Sequence, residues 1–265
     1  MRKNLVTITG GETRHKFLSS YLSRQENINI LLSIQEKVKK LKDNKDLKKY
    51  SVFKCHIRNR KKTEEKYFRK FINKKRLYKT IKVEKGYLNK ASTINLFKKL
   101  DPDLIITFGC SIIQEDFINA FKSKIINIHL GLSPYYRGSG TNFFPFVYKE
   151  LQFLGSTIMK IDKGIDTGKI ITQIRPKIKA NDNIHTIGNK IIFDTVEKIK
   201  EVVLSSKKIK TKPLKTKYKI RVLKNKDFTI DTLKKAYFNL KDGMIRKYLK
   251  NQKKLERKYK IVTQF

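Results

Sequence analysis

Short apolar runs joined by polar, turn-rich segments organise this chain, and they predict strands alternating with helices. Leu5–Thr9 alternates apolar residues with threonine and predicts a first strand. Gly10-Gly11 turns the chain, and Thr13 is placed to cap a helix reaching Arg24. Ile28–Ile34 predicts a second strand and Thr80–Val83 a short one. Between them Gln35–Tyr78 is rich in Lys, Arg, Glu and Asn and predicts exposed helix and loop, with some strand character at Tyr50–His56. Ser92 is placed to cap a helix over Thr93–Leu100.

The middle of the chain is more regular. Leu104–Phe108 is almost wholly apolar, as a central parallel strand buried on both faces requires. A glycine loop, a helix over Gln114–Phe121 and the apolar strand Ile125–His129 follow in close succession. Strand, helix and strand in that order predict a parallel sheet of an α/β protein. Asn142–Leu151 fits a short helix with Pro145 in its first turn. Gly155–Ile161 and Ile170–Arg175 predict strands on either side of the turn Asp162–Gly168. Ile184–Leu204 predicts a long amphipathic helix, capped by Asn181 or Asp182, with Ile184, Ile187, Ile191, Val196, Ile199 and Val203 at helical spacing. Beyond Ser205 the composition turns basic: Lys207–Lys219 reads as a linker, and Asp231–Tyr259 as one or two basic helices broken near Gly243. The expected organisation is a main domain over residues 1–205, with halves at 1–100 and 101–205, and a basic C-terminal extension over 206–265.

Charge modifies this picture without deciding it. The 265 residues carry 63 Lys and Arg against 23 Asp and Glu, a formal net charge of +40. Such a balance suggests nucleic acid, because lysine and arginine displace counterions from phosphates. Lysine is spread along the whole chain, however, which suits a compositional bias better than a dedicated patch, so a nucleic-acid partner is not favoured. Either way, a positive field draws in anionic ligands. No window is apolar enough for a transmembrane helix, and the first residues lack a signal-peptide core, so the expected location is cytoplasmic. Cys55 and Cys110 belong to no CxxC pair, and the four histidines have no metal-binding spacing, so no metal is expected.

The chemistry concentrates at the end of the strand Ile125–His129. Asn127 and His129 stand two apart, so their side chains point to one face of that strand. An imidazole carries protons or stabilises negative charge near neutral pH, and a side-chain amide donates to an oxyanion. In parallel α/β sheets ligands collect at the C-terminal strand ends, which are Gly109–Ile113 and Asn127–Gly131 in this chain. Alone, Asp162 and Asp166 read as turn-capping residues, Asn127 and His129 as satisfied core polar groups, and Gly10-Gly11 as a tight turn.

Four stretches together are more specific. Asn127-Ile128-His129, Leu132-Ser133-Pro134-Tyr135-Tyr136-Arg137-Gly138, Gly155-Ser156-Thr157-Ile158 and Asp162-Lys163-Gly164-Ile165-Asp166-Thr167-Gly168 closely resemble the formyltransferase family. That family includes glycinamide ribonucleotide formyltransferase, the N-terminal domain of methionyl-tRNA formyltransferase and sugar N-formyltransferases. The resemblance covers residues 100–200 well and 1–100 by strand pattern. It implies a Rossmann-like, mostly parallel sheet with helices on both faces, followed by a short basic helical tail. It implies that 10-formyltetrahydrofolate donates a formyl group to an amine through a tetrahedral intermediate. By the same resemblance Asn127, His129 and Asp166 are catalytic. Gly109, Cys110, Ser111, Ile112 and Ile113, with Asp162 and Gly164, hold the folate. Gly10, Gly11, Gly131, Tyr136, Arg137 and Gly138 are the expected acceptor-binding positions.

Departures from the family pattern bear on the acceptor. Gly131 stands where relatives usually have Ser, and Ser133 replaces a Leu. The turn Gly10-Gly11-Glu12-Thr13 does not closely match the phosphate-binding turn of the glycinamide ribonucleotide enzymes. The stretch after Ser205 is short, and too helical in pattern, for the β-barrel that methionyl-tRNA formyltransferases use on tRNA. The expected reaction is therefore formyl transfer to the amine of a small molecule, with a nucleotide-linked amino sugar first by elimination. Glycinamide ribonucleotide is second. A methionyl-tRNA acceptor, a nucleic-acid-binding protein on an idle scaffold, and a formyltetrahydrofolate hydrolase are the further alternatives.

Overall fold

The structure is a computed structural model and describes residues 2–37, 44–205, 209–213 and 216–264. Parts of the two segments expected to be irregular, residues 38–43, 206–208 and 214–215, lie outside the described residues. A seven-stranded sheet forms the centre. In chain order its strands are β1 (Lys3–Gly10), β2 (Ile28–Lys37), β3 (Thr80–Glu84), β4 (Leu104–Phe108), β5 (Ile125–His129), β7 (Ser156–Lys160) and β8 (Ile170–Ile174). The spatial order is β3-β2-β1-β4-β5-β7-β8. The first five strands are mutually parallel; β7 runs antiparallel to β5, and β8 runs antiparallel to β7. Adjacent residues of one strand face opposite layers. Leu5, Ile106 and Ile126 pack under α1 (Thr13–Leu22) and α6 (Ile184–Leu204). Their neighbours Val6, Ile105 and Ile125 pack under α3 (Ala91–Leu100) and α4 (Glu115–Phe121). Burial on both faces is why these strands read as unbroken apolar runs.

Several local expectations are corrected. Tyr50–His56 is not a strand but the entry to α2 (Ser51–Ile72), a 22-residue helix that buries Phe53 and Phe68 and turns its lysines outward. The cap of α1 is Glu12 rather than Thr13, that of α3 is Lys90 rather than Ser92, and that of α6 is Asn183 rather than Asn181 or Asp182. Asn183 Oδ1 accepts from the backbone N–H groups of His185 (2.9 Å) and Thr186 (3.0 Å), two of the donors a helix start leaves unpaired. Asp182 instead accepts from Lys179 N.

The segment after Ser205 forms the strand β9 (Arg221–Leu223) and the helices α7 (Ile230–Lys241) and α8 (Met244–Lys258). Leu233, Ala236, Met244, Ile245 and Tyr248 share one buried cluster with Leu132, Tyr135, Tyr136 and Phe146. Asn239 Nδ2 of α7 donates to the carbonyls of Phe146 (2.8 Å) and Val147 (3.1 Å) in α5 (Phe144–Tyr148). Strand β9 pairs in parallel with the short β6 (Tyr136–Gly138), a contact that strand periodicity did not predict. Its close approach requires a glycine: Gly138 has φ 88°, and a Cβ there would lie 2.1 Å from Leu223 O.

Candidate active site

A cavity of about 800 Å³ opens at the C-terminal ends of β4 and β5, where the parallel order predicts a ligand. Asn127, His129, Asp166, Gly109 to Ile113, Asp162, Gly164 and Gly138 all line it. Gly10, Gly11, Gly131, Tyr136 and Arg137 are not among its lining residues. Three of these five act on the cavity at one remove. A Cβ on Gly10 would lie 2.6 Å from His15 Nδ1, so that turn seats the His15 ring. Tyr136 is buried and presents its carbonyl to His129. A Cβ on Gly131 would fall 2.5 Å from His129 Nε2 and 2.7 Å from Thr141 Cβ. A serine at this position has no room beside the His129 ring as it stands here.

Register brings the polar residues together. Thr107 of β4 lies beside Asn127 of β5, and its hydroxyl donates to Asn127 Oδ1 at 2.8 Å. With its oxygen engaged, Asn127 has its NH2 group left to donate. His129 Nε2 lies 2.9 Å from Tyr136 O, and His129 Nδ1 lies 3.2 Å from Asp166 Oδ2. Both ring nitrogens therefore face oxygen atoms, which fixes the plane of the ring. Asp166 Oδ2 also accepts from Gly138 N at 2.8 Å. Asp166 has φ 52°, a backbone conformation that costs a non-glycine residue free energy. The bonds to Gly138 and His129 hold it there.

The loop after β4 is anchored by Glu36, which the sequence reading missed. Glu36 is buried at the end of β2 and accepts from Ser111 N (2.6 Å), Ser111 Oγ (2.7 Å) and Gly86 N (2.8 Å). Burial, with the Glu36 charge adding, pushes the Cys110 thiol up to about 12, so this cysteine stays a thiol at neutral pH. Ile112 and Ile165 stay largely exposed on opposite loops lining the cavity, 74% and 53%.

The remaining wall comes from α1, α2 and α6. His56, Arg60 and Glu64 stand four apart on one face of α2 and line the cavity with Glu12, Arg14 and His185. Arg14 bridges Glu12 and Glu64, and Arg60 lies 3.3 Å from Glu12. Burial, with the Arg14 charge adding, lowers Arg60 from its ordinary value against the pull of Glu12 and Glu64. The His56 and His185 rings lie 4.8 Å apart, and Tyr237 OH touches both. Burial, His185 and Arg60 push His56 down to about 3; burial and Arg60 push His185 down to about 4. The four-residue spacing on α2 was the available signal for this wall, hidden within a lysine-rich helix. Among the described residues no group of three His, Cys, Asp or Glu could hold a metal, and no helix is long and apolar enough to cross a membrane.

The sequence profile of the formyl transferase family matches residues 3–203. The chain belongs to the formyl transferase family. Formyl transferases of this family use 10-formyltetrahydrofolate. Methionyl-tRNA formyltransferase of Pelagibacter ubique is 38% identical over 107 residues, which are 40% of this chain and 34% of the relative. That of Caldicellulosiruptor saccharolyticus is 30% identical over 116 residues, 41% of this chain and 37% of the relative. The matched stretch thus spans little more than a third of these relatives' length. In fold, this formyl transferase is similar to a sugar N-formyltransferase from Shewanella sp., with a TM-score of 0.54 at 13% identity, covering 88% of this chain and 87% of the other. Phosphoribosylglycinamide formyltransferase from Anaplasma phagocytophilum gives a TM-score of 0.52 at 19% identity, covering 76% of this chain and 85% of the other.

Proposed function

We propose that this formyl transferase is an N-formyltransferase that moves a formyl group from 10-formyltetrahydrofolate to the amine of a small acceptor. The observation that carries the reading is the convergence of Asn127, His129 and Asp166 on one cavity at the C-terminal strand ends. The cavity fits the donor: its volume lies in the range of small-molecule sites, the Ser111 loop is held rigidly by Glu36, and Ile112 and Ile165 offer apolar surface for a ring. Residues Gly109 to Ile113, with Asp162 and Gly164, would hold the folate, which supplies the activated formyl group when bound.

The chain's own groups divide the remaining work. Amine attack on a formyl carbon puts negative charge on the formyl oxygen. Asn127 donates its NH2 to that oxygen, aimed by the Thr107 hydroxyl on its other end. His129, held between Tyr136 O and Asp166, stands beside Asn127 on the same strand face, placed to steady that charge. Asp166 Oδ1 has no hydrogen bond among the described residues and is free to take the proton from the attacking nitrogen; that proton passes to the leaving N10 of the folate as the bond between N10 and the formyl carbon breaks.

A charged tRNA is the second reading. The names of the curated relatives favour it, as does the basic face of α8 with Lys250, Lys253, Lys254 and Arg257. The test is incubation with 10-formyltetrahydrofolate and amino-sugar nucleotides, glycinamide ribonucleotide or charged tRNA, with transfer followed by mass. Formate release without transfer to any amine overturns the reading in favour of a hydrolase.

A further inference from the structure

We infer that the end of the cavity walled by α1, α2 and α6 is an acceptor subsite for an uncharged, hydroxyl-bearing ring, and that Asn189 selects that ring. The inference rests on the formyl-transfer reading above. Asn189 of α6 is only 3% exposed and lines the cavity, yet its amide nitrogen has no hydrogen-bond partner among the described residues. Buried amide nitrogens are almost always paired, so an unpaired one beside a cavity is a place for a ligand oxygen. Rotation about χ2 lets the same side chain present oxygen or nitrogen to it.

The charges on this wall exclude an anion. Arg14 and Arg60 are matched by Glu12 and Glu64. Glu12 also caps α1, so its carboxylate already fills the place where a helix start would hold a phosphate. A phosphate entering there would face both glutamates. Lys160 reaches away to the carbonyl of Ser123, and Lys224 lies exposed.

What the wall offers is neutral and mixed. Burial keeps His56 and His185 uncharged, so each ring has one donor and one acceptor nitrogen. Phe143 and Phe228, with ring centroids 4.5 Å apart, add apolar faces. Hydroxyl groups donate and accept at once, and the C–H face of a saturated ring packs on aromatics. An amino sugar has this chemistry.

The test compares wild type, Asn189→Ala and the milder Asn189→Ser, with 10-formyltetrahydrofolate as donor. The acceptor probes are UDP-glucosamine, a nucleotide-linked 4-amino-4,6-dideoxyhexose and glycinamide ribonucleotide. Wild type is expected to formylate an amino sugar and not the ribonucleotide. Asn189→Ala is expected to raise the amino-sugar KM about tenfold with kcat changed less than about threefold. The folate KM should stay unchanged, which shows that the variant is folded, and Asn189→Ser should fall between. Calorimetry with inorganic phosphate is independent of Asn189: wild type should not bind it, and Glu12→Gln, which leaves Arg14 and Arg60 with Glu64 as their one carboxylate among the described residues, should. Transfer to glycinamide ribonucleotide, phosphate binding by wild type, or refusal of both amino sugars overturns the inference. Transfer to the ribonucleotide would leave the formyl-transfer reading standing. Failure with every amine, charged tRNA included, would remove that reading as well.

Discussion

His129 and Asp166 are joined at 3.2 Å between Nδ1 and Oδ2, and the same carboxylate oxygen holds Gly138 N at 2.8 Å. One carboxylate therefore orients the imidazole and ties down the loop after β5. Asp166→Asn keeps the size of the side chain and loses the charge; His129→Ala loses the ring. Each is expected to lower kcat by about 10²- to 10⁴-fold, with a circular dichroism spectrum like wild type. Turnover near wild type in either variant would rule out the mechanism.

Thr107 acts through Asn127. It is fully buried, and its hydroxyl fixes which end of the Asn127 amide is free to donate. Thr107→Val removes that hydroxyl with little change in shape. The expected result is a fall in kcat of about tenfold or more with the folate KM unchanged. An unchanged kcat would mean that Asn127 is aimed by something else.

Arg221 connects the C-terminal segment to the site. Its guanidinium reaches Glu150 at 2.8 Å and 3.1 Å and lies 4.0 Å over the Tyr148 ring, and Glu150 accepts from Tyr136 OH. Tyr136 in turn gives its carbonyl to His129. Arg221→Met is expected to cost about 1.5–3 kcal/mol in chemical denaturation, the range for hydrogen bonds to charged groups. It should lower kcat more than it raises either KM. A stability loss with intact kcat would show that β9 supports the fold and not the site.

His56 and His185 make stability depend on pH. Their folded-state values of about 3 and about 4 lie below the ordinary 6.5, so the unfolded chain binds protons first as pH falls. Their contribution is fully present above pH 6.5 and is lost as pH falls toward 4 and then 3. Each proton adds a slope of about 1.4 kcal/mol per pH unit within that window. Urea denaturation at pH 7, 6 and 5 should show it, and His56→Gln should flatten the slope. Equal slopes in variant and wild type would place the titration elsewhere.

Some of this was readable before the fold. Asn127 and His129 share a face because strand geometry alone alternates side chains, so two residues on one strand need no tertiary information. The apolar runs Leu104–Phe108 and Ile125–Ile128 announced central strands because both faces of each are covered by helices. The α2 wall was not readable in the same way. His56, Arg60 and Glu64 look like three more polar residues on a solvated helix until α1 and α6 pack against it.

The sequence by itself determined the alternation of strands and helices, the parallel core and the family, since periodicity and short motifs are local. Only the tertiary structure decided that Thr107 aims Asn127, that Glu36 anchors the Ser111 loop, and that β9 holds the strand carrying Tyr136 and Gly138. Each of these joins residues far apart in the chain. Spacing along a sequence says nothing about which distant groups a sheet register brings within hydrogen-bond reach.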